Sequence, residues 1–133
     1  LALIKGHWLI EGDPDVLRSA RNRWPQVSLR GDSILLPADP HTSYQLSYFA
    51  SEYGLIVSHI GDLDQLSDLY RNQLSRLRSI FSDSYKPQPL DLAVDARSYQ
   101  RVAADWISEA RRGLLADDIG LGKTVSAISC IVR

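Results

Sequence analysis

Two glycines, a lysine and a threonine near the C-terminal end of the chain stand at a spacing that can bind phosphate. Gly120 and Gly122 let the backbone approach an anion closely because they carry no side chain. Lys123 can reach the β- and γ-phosphates of a nucleotide, and the Thr124 hydroxyl can ligate Mg²⁺. The spacing predicts a phosphate-binding loop in which Lys123 and Thr124 are the catalytic residues.

The elements on either side of this loop have the patterns that phosphate binding requires. The apolar run at 114–116 predicts a buried strand, and the apolar spacing from Val125 to Val132 predicts a helix that begins at Lys123. The first N–H groups of such a helix are unpaired, and the helix dipole favours an anion there. The general motif G-x-x-x-x-G-K-[ST] has glycine where this chain has Asp117. A strand-turn-helix whose glycines only make the turn therefore stays an alternative.

A second amphipathic helix is predicted just before the loop. It begins at Asp95 or Ser98 and ends near residues 111–113. Its predicted apolar face consists of Tyr99, Val102, Ala103, Trp106, Ile107 and Ala110.

These stretches together resemble one known family. Tyr99-Gln100-Arg101, Trp106-Ile107 and the run GLLADDIGLGKT at 113–124 resemble the start of the SWI/SNF-type ATPase core of helicase superfamily 2. In that family the loop reads L-L-A-D-[DE]-M-G-L-G-K-T and follows a helix with R-P-Y-Q. The aspartate that fails the general motif is the residue that this family has. Ile119 replaces the usual methionine and Ser98 the usual proline, and neither change removes a ligand contact.

The resemblance implies a RecA-like domain that binds ATP with Mg²⁺. It implies that Gln100 binds the adenine edge, where an amide acceptor and donor match N6 and N7. Asp117 and Asp118 would hold the loop through backbone N–H groups and not touch the phosphates, because like charges repel. The expected nucleotide-binding set is Gln100, Asp117, Asp118, Ile119, Gly120, Leu121, Gly122, Lys123 and Thr124.

The resemblance also implies what a longer protein of this kind does. It is expected to be a monomeric, DNA-dependent ATPase that translocates on duplex or forked DNA and contacts the backbone without reading sequence. The chain is expected to be the N-terminal part of such a protein and to end just after the first ATPase motif. Because hydrolysis needs a further acidic motif, we expect the chain alone to be inactive.

Composition limits the other classes of function. The net charge of −1 gives no overall positive field, so a nucleic-acid partner would need local basic clusters. The single cysteine, Cys130, excludes an internal disulfide, and three scattered histidines do not predict a metal site. No apolar run is long enough to span a membrane. We expect a soluble intracellular protein, cytoplasmic in a bacterium or phage and nuclear in a eukaryote.

The first 57 residues predict a small domain of mixed class. Strands are predicted at 3–11, 26–30, 33–37 and 55–57, and helices at 14–23 and from Thr42 or Ser43 to Gly54. The order β-α-β-β-α-β predicts a split β-α-β sheet with two helices on one face. A long helix should follow from Asp62 or Leu63 to Phe81. The predicted class is α/β (α+β), with this domain ahead of the helix-strand-loop-helix start of the RecA-like domain.

The stretch at 82–89 predicts a domain boundary, because it combines two prolines with several turn-forming residues and has no periodicity. The predicted organisation is an accessory domain at 1–84, a linker at 85–94 and the start of the ATPase domain at 95–133.

The accessory domain resembles, in element order, the HARP-type module of annealing helicases, which helps direct the motor to forked DNA. Its short pattern runs from Asp15-Val16-Leu17 to residues 34–37. The candidate DNA contacts are Arg18, Arg21, Arg23 and Arg30, although exposed charges that only keep the surface solvated explain them equally simply. The arginines of the predicted long helix could also contact the DNA backbone, and solvated surface charge is the alternative for them as well.

Two other functions compete with the motor. The chain could be an accessory DNA- or protein-binding module with an incidental ATPase segment, or it could be an unrelated phosphate-loop protein. The Tyr99-Gln100 pair and Asp117 argue against the second.

Overall fold

The computed structural model describes residues 1–89, 92, 93, 95–111, 113, 114, 120 and 122–132, and the backbone alone at 28–30. In order, the elements are β1 (Ala2–Ile4), β2 (His7–Ile10), α1 (Pro14–Arg23), β3 (Ser28–Arg30), β4 (Ser33–Pro37), α2 (Pro40–Glu52), α3 (Ile60–Ile80), α4 (Ser98–Ala110) and α5 (Lys123–Val132). The predicted mixed α/β class is confirmed. The chain divides into two compact units, Leu1–Arg71 and Asn72–Arg133, and the division falls within α3.

The sheet of the first unit is antiparallel throughout, in the order β1-β2-β4-β3. The single strand predicted at 3–11 was wrong: β1 and β2 form a hairpin around Lys5 and Gly6, which have φ of 47° and 75°. Two residues with positive φ make the tight turn whose twist matches that of paired strands.

The predicted last strand was also wrong. Residues 55–57 lie outside every described strand, and Ile56 is 86% exposed. Their backbone approaches the sheet at Leu1, whose carbonyl accepts a hydrogen bond from Ser58 N at 2.9 Å. The observed order is therefore β-β-α-β-β-α, and the split β-α-β arrangement is not formed.

Both helices of the first unit begin at an Asp-Pro pair. Asp13 Oδ1 accepts a hydrogen bond from Asp15 N at 2.8 Å, and Asp39 Oδ1 accepts one from Thr42 N at 2.9 Å. In each helix proline occupies the first turn, where its missing N–H would have no intrahelical partner. The predicted start of α1 is confirmed. The predicted start of α2 at Thr42 or Ser43 was wrong, because Asp39 caps the helix earlier.

The apolar core of the first unit lies between the sheet and its two helices. Trp8 is paired with Leu36 and Ile10 with Ile34, so these four side chains share one sheet face. They are at most 2% exposed and pack with Leu17 and Ala20 of α1, Leu46 and Phe49 of α2, and Leu63 of α3. The expectation of two helices on one sheet face is confirmed.

The second unit contains the end of α3 together with α4 and α5. The long helix runs close to its predicted bounds. Gln73 Nε2 donates to the Glu109 carbonyl at 2.8 Å, and Arg76 forms an ion pair with the Glu109 carboxylate at 2.8 Å, so the end of α3 is fastened to α4.

The predicted apolar face of α4 is half-buried at most of its positions. The buried side chains of α4 are Gln100, Ala104 and Asp105, whereas Tyr99 is 39% exposed. In α5 the buried residues are Ser126 and Ser129, and the apolar side chains Ile128, Ile131 and Val132 are exposed.

No helix within the described ranges is long and apolar enough to cross a membrane. The predicted linker at 85–94 stays a prediction.

Candidate functional site

The phosphate-binding pattern lies at the start of α5. Gly120 and Gly122 have φ of 91° and 75°, a region that residues with a side chain rarely adopt. Gly122 closes the first turn, because its carbonyl accepts a hydrogen bond from Val125 N at 2.9 Å. Lys123 and Thr124 follow as the first helical residues, and both are exposed. The two side chains predicted to hold phosphate and Mg²⁺ therefore stand at the positive end of a ten-residue helix.

Gln100 of α4 contacts this loop. Its Nε2 donates to the Gly122 carbonyl at 3.3 Å, and its Oε1 accepts from Arg97 N at 2.8 Å. The side chain is 5% exposed. The two predicted parts of the nucleotide site, separated by 22 residues in sequence, are thus joined by a hydrogen bond.

The contact gives Gly122 a second reason to be glycine. A Cβ added at this position would lie 2.6 Å from Gln100 Nε2, whereas a Cβ at Gly120 would meet nothing within 4 Å. Alanine at Gly122 would therefore strain the backbone and also displace the end of the Gln100 side chain. The sequence reasoning missed this bracing role, because it treated Gln100 only as a contact to the base.

A cleft of about 220 Å³ lies beside the contact between Gln100 and Gly122. It offers a carboxylate, a guanidinium, a phenol and a buried amide next to the glycine loop. Its lining residues are Asp95, Arg97, Tyr99, Gln100, Gly120, Gly122 and Val125.

Part of the predicted site lies outside the described residues. This applies to Asp117, Asp118, Ile119 and Leu121, and to most of the predicted strand at 114–116. Leu114 is described, and it is 86% exposed and belongs to no strand, so its predicted burial was wrong.

The candidate DNA-contacting arginines belong to the first unit. Arg18 pairs with Asp15 at 3.4 Å, and Arg23 pairs with Glu52 at 3.8 Å. Arg21 is exposed in the last turn of α1, one helical turn from Arg18. The side chain of Arg30 lies outside the described residues. Exposed ion pairs of this kind are weak, so Arg18 and Arg23 can leave their carboxylate partners and bind another anion.

Metal-ligating side chains do not gather within the described part of the chain. No group of three or more histidine, cysteine, aspartate or glutamate side chains occurs there that could hold a metal ion.

Comparison with known proteins shows a partial similarity to a helicase. No family model and no solved structure matches the chain. Over 76 residues it is 33% identical to the ATP-dependent helicase ULS1 of Saccharomyces cerevisiae. The matched stretch covers 53% of this chain and 5% of the yeast protein, so the chain spans a small fraction of that relative's length. The similarity supports a relation to a helicase-like ATPase at this coarse level.

Proposed function

We propose that residues 95–133 are the nucleotide-binding start of a SWI/SNF-like ATPase that binds ATP with Mg²⁺ and uses its hydrolysis to translocate on DNA. The observation that carries this proposal is the hydrogen bond from Gln100 to the Gly122 carbonyl, directly before Lys123. A glycine turn alone would not need a buried glutamine from a preceding helix. The partial similarity to an ATP-dependent helicase supports the same class.

In this proposal the residues of the loop have separate tasks. Lys123 holds the β- and γ-phosphates, and Thr124 ligates Mg²⁺. Tyr99 and Gln100 contact the base in the cleft next to the loop. Asp117 and Asp118 hold the loop backbone. Bound ATP supplies the phosphoryl group whose transfer to water releases the energy for movement.

The competing proposal is an unrelated phosphate-loop protein. Such a protein would share the glycines, Lys123 and the helix α5, but it would have no reason to place Gln100 against the loop. Loss of nucleotide binding on removal of Gln100 would therefore favour the helicase-like ATPase.

We further propose that residues 1–84 form an accessory domain, joined by the linker at 85–94, and that the protein acts as a monomer inside the cell.

The test is nucleotide affinity, and the chain contains a matched control. We expect Lys123→Ala to weaken the binding of a fluorescent ATP analogue with Mg²⁺ by at least about tenfold, since a charge-assisted phosphate contact is lost. Lys86→Ala removes another exposed lysine of the second unit and should leave the affinity unchanged. Equal affinities for the two variants would refute the loop assignment.

Hydrolysis provides a separate test. In a longer protein that contains the remaining ATPase motifs, Lys123→Ala should abolish ATP hydrolysis. The 133-residue chain alone should release little or no phosphate. Robust phosphate release from the chain that depends on Lys123 would overturn this part of the proposal.

DNA is the proposed partner of the first unit, through the arginines of α1. The charge of Arg21 in the last turn of an exposed helix supports this assignment. We expect the chain to bind forked or duplex DNA in a salt-dependent way, and Arg21→Gln to lower the slope of log affinity against log salt by about one. Lys5→Gln, which removes an exposed basic side chain in the turn between β1 and β2, is the control. Salt-independent binding, or no binding to any DNA, would exclude the assignment.

A further inference from the structure

A buried carboxylate in α4 has no task in the proposed nucleotide site. Asp105 is 9% exposed, and its Oδ2 accepts hydrogen bonds from Tyr85 Oη at 2.8 Å and from Gln88 N at 3.2 Å. A buried charge is costly unless donors compensate it, and both of these donors come from one short segment between α3 and α4. The carboxylate therefore fastens residues 85–88 to α4.

The same helix carries the contact to the glycine loop. Gln100 precedes Asp105 by five residues, and both are buried residues of α4. The chain that leaves Gln88 reaches α4 at Arg97, whose N–H donates to Gln100 Oε1 at 2.8 Å. Asp95 and Arg97 also line the cleft beside Gly120 and Gly122. Tyr85 and Gln88 are thus bonded to Asp105 and Arg97 to Gln100, and Asp95 and Arg97 form a wall of the cleft.

We propose that Tyr85, Gln88 and Asp105 form a latch that orders the Asp95–Arg97 wall of the cleft. When the latch is closed, both ends of the connection are fixed, so the wall loses little conformational freedom when a ligand binds. When the latch opens, one end is released and the ligand has to order the wall itself. Asp105 is therefore a positioning residue for the cleft, and its importance for nucleotide affinity rests on the proposed function.

The surroundings of the latch allow it to open without unfolding the unit. A cleft of about 370 Å³ lies next to it and is lined by Arg76, Ser79, Ile80, Tyr85, Gln88, Asp105, Ser108 and Glu109. In this proposal water enters through the cleft and takes over the hydrogen bonds when the latch opens. The bonds of Gln73 and Arg76 to Glu109 still hold α3 to α4 when the latch is open.

The test is amide hydrogen exchange of the 133-residue chain by NMR in the absence of nucleotide. Asp105→Ala removes both hydrogen bonds of the latch, and Tyr85→Phe removes only the phenol hydroxyl. We expect the exchange of the Gln88 and Arg97 amides to accelerate by about tenfold in Asp105→Ala, as for loss of a hydrogen bond to a charged group. Tyr85→Phe, which is the safer variant for folding, should accelerate both amides by a smaller factor.

Two comparisons separate a latch from a general loss of stability. The amide of Ser126 in α5 should exchange at an unchanged rate in Tyr85→Phe, and Asp105→Asn, which keeps one acceptor, should behave between Asp105→Ala and the unmodified chain. Tyr53→Phe and Asp83→Asn, which change exposed side chains, should change neither the Gln88 nor the Arg97 amide. Acceleration at Gln88 with no change at Arg97 would overturn the latch, as would equal acceleration throughout the unit.

A nucleotide arm then distinguishes this inference from the proposed function. Tyr85→Phe should weaken binding of the fluorescent ATP analogue by about threefold, less than Lys123→Ala does, because it acts only through the order of the wall. If the unmodified chain binds no analogue while Arg97 exchange depends on Tyr85, the latch stands and the proposed function fails. If the analogue binds equally to the unmodified chain and Tyr85→Phe, the latch has no effect on the cleft and the inference fails.

Discussion

The two units of the chain bury different kinds of side chain. In the first unit Trp8, Ile10 and Ile34 are fully buried, and they pack with apolar residues of α1 and α2. In the second unit the buried side chains include Gln100 and Asp105, and α5 buries its serines while it exposes its isoleucines. Apolar burial is tolerant of small shifts in position, whereas buried hydrogen bonds require specific partners. The core of the first unit is thus mainly apolar, although it includes the buried Ser43, whereas two of the largest buried side chains described in the second unit are polar.

This contrast agrees with where the candidate site is found. The glycine loop and its cleft lie in the second unit, where the buried Gln100 is hydrogen-bonded to the loop backbone. A site for a nucleotide needs such placement, because its affinity depends on groups that are ordered before the ligand arrives. The contrast can be tested by comparing substitutions in the two units.

The largest effect is expected from the core of the first unit. Trp8 is fully buried, so Trp8→Ala should lower the free energy of unfolding by about 3–5 kcal/mol, through lost apolar burial and the cavity that remains. Urea unfolding followed by the NMR signals of the first unit measures this loss. Tyr48→Ala, which truncates an aromatic side chain that is 55% exposed, should cost far less. Similar losses for the two variants would contradict an apolar core at Trp8.

A second, smaller effect tests the buried hydrogen bond in this core. Ser43 is fully buried, and its Oγ accepts from Trp8 Nε1 at 2.8 Å. Ser43→Ala leaves the indole N–H without this acceptor and should lower the free energy of unfolding by about 1–3 kcal/mol. Ser51→Ala, an exposed position of the same helix, should change it by less than about 0.5 kcal/mol. A neutral Ser43→Ala would show that the apolar contacts of Trp8 alone hold α2 on the sheet.

The glycines of the loop offer a matched pair in the second unit. Both require positive φ, so alanine at either position should cost about 1–2 kcal/mol in backbone strain. Only Gly122→Ala also displaces Gln100, so it should weaken nucleotide binding more than Gly120→Ala does. Adding Gln100→Ala should relieve part of this extra loss, which a double-mutant cycle on affinity for the ATP analogue measures. Additive effects of Gly122→Ala and Gln100→Ala would contradict the bracing contact.

Local patterns were predictable from sequence where a short motif sets the backbone. The Asp13-Pro14 cap, the Gly31-Asp32 turn and the start of α5 after Gly122 follow from the preferences of neighbouring residues. The hairpin at Lys5-Gly6 was missed because lysine rarely adopts positive φ, so the turn did not interrupt the apparent strand.

Contacts between distant residues were not predictable in this way. Gln100 was identified from a family resemblance, but its bond to the Gly122 carbonyl depends on how α4 and α5 pack. Asp105 was missed because a carboxylate in an amphipathic helix is normally expected on the solvent side.

The smallest effect is expected at the exposed isoleucines of α5, where the same residue type can be compared between the units. Ile131 is 84% exposed, so Ile131→Ala should change the free energy of unfolding by less than about 0.5 kcal/mol. Ile34 in β4 is fully buried, and Ile34→Ala should cost about 2–5 kcal/mol. Denaturant unfolding followed by NMR signals of each unit separates the two values. A loss above about 1 kcal/mol for Ile131→Ala would mean that this side of α5 is covered in solution, and the second unit would then have an apolar core like the first.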